Sequence, residues 1–79
     1  MVKTGLYKHF KGGEVFVFGM AKTPEGSLDV LYKGMQNGEI YARPLESFDN
    51  KVKNADGEVV NRFELIKEAK IDLANIIKL

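Results

Sequence analysis

The apolar residues fall in short runs separated by turn-forming residues. The runs are Gly5–Phe10, Glu14–Thr23, Leu28–Gln36, Glu39–Ala42, and Lys51–Lys53 leading into Glu58–Val60. Between them stand Lys11-Gly12-Gly13, Pro24-Glu25-Gly26-Ser27, Asn37-Gly38 and Asp56-Gly57. Glycine supplies positive φ at such points, and Asn-Gly or Asp-Gly suits a hairpin. Short strands at this spacing predict a meandering antiparallel sheet. In so short a chain, closing the sheet would remove its exposed edges. The expectation is a mainly β fold with one C-terminal helix: a small five-stranded antiparallel SH3-like barrel over residues 1–63, and a helix over 64–79.

Alternation says which side chains share a face, because neighbours on a strand point to opposite sides. Ile40 and Ala42 share one face, and Tyr41 and Arg43 the other. Leu6 and Phe10 read as inward; Tyr7 and His9 lie on the opposite side. Lys8 then falls among the inward residues and is expected to snorkel to a barrel mouth. Leu28, Val30 and Tyr32 share a face. The run Val15–Ala21, "VFVFGMA", is apolar on both sides, so it needs two covers.

The tail "RFELIKEAKIDLANIIKL" offers the second cover. Ile66, Ala69, Leu73, Ile76 and Ile77 fall on one helical stripe, with Lys67, Lys70, Asp72 and Lys78 largely off it. Asn61 followed by Glu64 resembles a capping box, which would start the helix near Arg62. A helix of this length is marginal alone in water and must pack, on its own barrel or on the tail of a partner subunit.

These residues resemble a bacterial family, the domain of unknown function 1653. The resemblance rests on Gly5, Tyr7, His9-Phe10 and Lys11-Gly12, then on Tyr41-Ala42-Arg43-Pro44, Phe48 and Arg62-Phe63. It spans roughly Gly5 to Ile66. The departures are Tyr41 for the usual tryptophan, Lys22-Thr23-Pro24-Glu25 for a histidine-containing segment, Lys33 for glutamine and Asn61 for proline. The resemblance implies a small, mostly β domain and brings no established activity.

Composition narrows the chemistry. The 79 residues suffice for one domain, and a chain this size buries roughly 60% of its unfolded surface. There is no cysteine, which fits a reducing cytoplasm and removes thiolate chemistry. No run approaches the ~18 apolar residues of a membrane span, and the first residues lack an apolar signal core. The net charge of +1 argues against a general polyanion binder.

Catalytic signals are absent from the pattern. His9 is the single histidine, and beside aromatics it reads as structural more readily than as a ligand. No Cys/His cluster suggests a metal site. The carboxylates show no paired spacing, and Ser27 and Ser47 have no triad partners evident. The expectation is therefore no enzyme and no cofactor.

Binding is the stronger reading. Tyr7, His9, Tyr41 and Arg43, with Arg62 as a second positive contact, would form an outward aromatic and basic surface. Such a surface suits a peptide or a short single-stranded nucleic acid, through ring stacking and a guanidinium. The structural alternative packs these rings under the C-terminal helix, with Arg43 paired to Glu39 or Glu46 and Arg62 capping the barrel end. The rival function is a structural protein that forms a homodimer through Ile66, Leu73, Ile76 and Ile77.

Overall fold

A computed structural model describes residues 2–70. Seven strands and one short helix follow the chain: β1 (Gly5–His9), β2 (Glu14–Lys22), β3 (Leu28–Gly34), β4 (Ile40–Pro44), α1 (Leu45–Phe48), β5 (Lys51–Lys53), β6 (Val59–Asn61) and β7 (Phe63–Glu68). The protein is mainly β, and every strand pair is antiparallel. Five strands form one sheet in the order β4-β3-β2-β1-β7, and β5 pairs with β6 as a separate hairpin.

The turns form where the sequence places them, by side-chain as well as glycine chemistry. Asn54 Oδ1 accepts from the backbone N–H of both Asp56 and Glu58, which closes the β5–β6 hairpin. In the β3–β4 turn, Asn37 Oδ1 accepts from the Glu39 N–H, and Gly38 has φ 71°. His9 Nδ1 accepts from the Lys11 N–H at 3.2 Å, bracing the β1–β2 turn.

The predicted barrel is corrected. Among the described residues the sheet does not close; β4 and β7 are its two ends. The main sheet takes five of the seven strands, and its fifth is not the segment at 51–60. It is Phe63–Glu68, pairing with the free side of β1.

The predicted helix start near Arg62 is corrected with it. Arg62-Phe63-Glu64-Leu65 alternates polar and apolar with period 2, and the open hydrogen-bonding edge of β1 selects that period over the helical one. β7 therefore runs across the expected 63/64 boundary. The remaining stripe residues Leu73, Ile76 and Ile77 lie outside the described residues. Gly5 belongs to this pairing: its φ is 144°, and a Cβ there would overlap the Lys67 carbonyl oxygen.

The core comprises Tyr7, Val15, Val17, Val30, Tyr32, Phe48 and Phe63, with Val2, Met20 and Leu45 packed on it. The facing of β1 is thus the reverse of expectation. Tyr7 points inward and is 7% exposed, its ring 5.3 Å edge-on from Phe48. Leu6, expected inward, pairs with Phe16 on the opposite side, and neither belongs to the core. Lys8 is exposed on that same outer side rather than at a barrel mouth. Ile40 and Ala42 are exposed as well, so their face is not the interior.

The inversion has a physical reason. Both faces of β2 are apolar and each face of β1 carries one large apolar or aromatic residue, Leu6 or Tyr7, so alternation sorts residues into two sets without saying which set is covered. Pro44 decides it. It ends β4, stands at the N-terminal boundary of α1, and the four-residue helix delivers Phe48 to the Tyr7–Tyr32 face.

Candidate aromatic and basic site

Register brings the expected site residues to one face, although not to the outside. Val30 pairs with Arg43 and Tyr32 with Tyr41, so Arg43 and Tyr41 share the face of the buried Val30 and Tyr32. At the other end of the sheet His9 pairs with Phe63, their rings 4.9 Å apart and edge-on. Phe63 stacks on Phe48 at 4.2 Å, with the rings nearly parallel. The aromatic core thus connects the two ends of the sheet, and the basic groups stand at its rim.

Arg43 is held from two sides. Its Nε donates to the Tyr32 hydroxyl at 3.2 Å, and its guanidinium carbon lies 5.7 Å from the centre of the Phe63 ring. The structural expectation of a pair with Glu39 or Glu46 is not met: among the described residues no carboxylate lies within ion-pair distance of Arg43. Its terminal N–H groups donate to no protein acceptor among them either. A guanidinium anchored through Nε keeps both terminal nitrogens for a carboxylate or phosphate.

Tyr41 stacks on Tyr32 at 5.4 Å and stays 38% exposed, and its hydroxyl accepts from the Asn37 side-chain amide. One side of the pair is therefore core and the other meets solvent. Tyr7 is not part of this surface. Its hydroxyl donates to the Lys3 carbonyl at 2.6 Å, and burial, more than any charge, pushes its pKa up.

Arg62 takes the bracing role rather than the capping of a barrel. Its Nε donates to Asn50 Oδ1 at 3.0 Å and its N–H to the Asn50 carbonyl at 2.9 Å, tying β7 to the segment after α1. Arg62 also remains without a carboxylate partner among the described residues. The His9 pKa is lowered, first by burial, then by the positive charges of Arg43, Arg62 and Lys11. These three cations are thus electrostatically close enough to His9 to oppose its protonation. An open groove of about 260 Å³ lies beside His9, lined also by Phe10, Asn54, Val60 and Glu64; Arg43 and Tyr41 do not line it.

Sequence reasoning missed the supports of this site. Tyr32 was legible as a face-sharing partner of Val30, but its hydroxyl as the anchor of Arg43 was not. Asn50 carries no local signal, since its bond to Arg62 depends on where β7 runs. Among the described residues no group of three or more His, Asp or Glu side chains could hold a metal ion, and no helix is long and apolar enough to cross a membrane.

Comparison with known proteins agrees with this architecture. No curated protein matches the chain. A crystal structure of a DUF1653 protein from Bordetella bronchiseptica superimposes with a TM-score of 0.76 at 21% identity, covering 90% of this chain and 95% of the other, which shows a shared fold. The model of the same family, described as a protein of unknown function, matches residues 5–65. With the match running from the Gly5 crossing of β1 and β7 through the Arg43–Pro44 strand end to Phe63, the chain belongs to the DUF1653 family.

Proposed function

We propose that this protein is a non-catalytic binding module that takes a short single-stranded nucleic acid at the rim formed by Tyr41, Arg43, His9 and Arg62. The observation that supports it most is Arg43. Its side chain is oriented by Tyr32 and Phe63, and its terminal nitrogens are left without a protein partner among the described residues. A phosphate placed on those nitrogens would set the neighbouring base against the open side of Tyr41. Base–aromatic stacking of that kind contributes about 1–3 kcal/mol per base. The other two cations that oppose His9 protonation, Arg62 and Lys11, would extend the positive surface along a strand's backbone.

The test is fluorescence anisotropy with a labelled oligothymidylate. Wild type should bind, and binding should weaken steeply with added salt. Arg43→Ala should weaken it at least tenfold while the circular dichroism spectrum is unchanged. Failure of wild type to bind, or equal binding by Arg43→Ala, overturns the reading.

One observation favours a second ligand. β4 is an end strand of the sheet, so its outer hydrogen-bonding edge is open beside Arg43. An extended peptide could add a strand there and place a carboxylate on the guanidinium. That ligand predicts a shallow salt dependence and insensitivity to Tyr41→Ala.

A further inference from the structure

β4 is an end strand of the five-stranded sheet, and its register fixes which of its backbone groups are spent. Just before it begins, the Gly34 N–H donates to the Glu39 carbonyl at 2.9 Å. Hydrogen-bonded and non-hydrogen-bonded pairs alternate along an antiparallel ladder. Tyr41 and Arg43 therefore turn their N–H and C=O groups toward β3, and Ile40 and Ala42 turn theirs to the open side. Pro44 also falls on the open side, where its missing N–H costs no ladder bond. Ile40 is 58% exposed and Ala42 is exposed, and among the described residues their backbone groups meet no other partner. A row of unpaired donors and acceptors of this kind is a template for another strand.

The residues along this edge are complementary to themselves. Antiparallel pairing of two copies about a two-fold axis at Tyr41 sets Ile40 opposite Ala42 of the second copy, and Ala42 opposite its Ile40. Every open N–H and C=O of those residues is then satisfied, in both chains. Tyr41 meets Tyr41 of the second copy at a non-hydrogen-bonded position, where side chains approach most closely. Arg43 comes opposite Glu39 of the second copy. Glu39 continues the alternation of Tyr41 and Arg43, is exposed, and has no ion-pair partner among the described residues. The neighbouring axes do worse. An axis at Ala42 turns the Ile40 carbonyl toward Pro44, which has no N–H to give. An axis at Arg43 sets two guanidinium groups opposite each other. An axis at Ile40 needs the Gly38 N–H, which already donates to the Gly34 carbonyl.

We infer that a second copy of this chain pairs along β4, antiparallel and centred on Tyr41, and continues the sheet across a two-fold axis. The contact of one short strand is small, so the dimer is weak and forms as concentration rises. The proposal does not rest on the nucleic-acid reading. It places a carboxylate where that reading places a phosphate, so a second copy and an oligonucleotide exclude each other at Arg43.

Sedimentation equilibrium of the full-length chain should show monomers and dimers in exchange at concentrations up to about 1 mM. Glu39→Lys should weaken association at least tenfold. Adding Arg43→Glu to that variant should restore it, because the two opposed charges are then exchanged. Circular dichroism checks that each variant keeps its sheet. The chain has no cysteine, so Tyr41→Cys gives a single thiol on the axis. A non-hydrogen-bonded pair suits a disulfide, and mild oxidation should join two such chains far faster than two Lys53→Cys chains. A wild type that stays monomeric to that concentration overturns the proposal and leaves the edge to a peptide strand. Association that ignores Glu39→Lys, association that the charge exchange does not restore, or equal cross-linking at the two positions would overturn it too.

Discussion

The two faces of the five-stranded sheet are built from the same strands and behave differently. On the inner face Val17 is 1% exposed and Val30 0%, and Tyr7, Tyr32, Phe48 and Phe63 interlock around them. On the outer face Phe16 and Leu31 are comparably apolar but do not pack on that core. Residue type does not separate the faces. Phe48 does: it packs on Tyr7, Tyr32 and Phe63 on one face and not on the other. Burial is a property of what is delivered to a surface, and alternation alone is silent about delivery.

The sharpest way to break this comparison is to place one charge on each face at adjacent positions. Val17→Asp buries a carboxylate without a partner, and the cooperative unfolding transition should disappear. Phe16→Asp should keep the transition with a lowered denaturant midpoint. Equal effects, measured by urea denaturation, would show that the faces are not different in kind.

Next in size is the residue that makes the inner face. Phe48→Ala removes a ring that is 2% exposed and touches Tyr7, Tyr32 and Phe63. The expected loss is about 3–5 kcal/mol in equilibrium unfolding. A loss under about 1 kcal/mol would mean that α1 does not define the inner side.

The smallest expected effect concerns His9, at the inner rim. Its folded pKa is lowered, so near neutral pH folding favours the uncharged ring. As pH falls through the unfolded value near 6.5, the unfolded chain takes up the proton first, and stability declines until the folded pKa is passed. The same protonation costs Nδ1 its role as acceptor for the Lys11 N–H. Denaturation midpoints between pH 7.5 and 5 should fall in wild type and fall less in His9→Asn. An anion at Arg43 and Arg62 would offset the repulsion, so oligonucleotide binding should tighten over the same pH range.

The family of strands was legible because turns are local chemistry. Gly12-Gly13, Asn37-Gly38 and Asp56-Gly57 mark chain reversals without reference to the rest of the molecule. The grouping of Tyr41 with Arg43, and of Tyr7 with His9, was legible because the pleat has period 2, and register confirms that all four share a face. Three features were not legible. The inward turn of Tyr7 depends on Phe48. The strand at Phe63–Glu68 depends on the vacant edge of β1, which outcompetes a helical period that the same residues also carry. The orientation of Arg43 depends on Tyr32 and Phe63, which lie on different strands.

By itself, then, the order of residues determined where the chain turns, how side chains divide between two sides of each strand, and which family the chain resembles. These follow from backbone preferences acting over a few residues. The tertiary structure alone decided which side is interior and, among the described residues, that the sheet stays open and that Arg43 is held with its terminal nitrogens unspent. Those outcomes rest on contacts between segments distant along the chain, where the free energy of covering one apolar face rather than its equal depends on which element arrives.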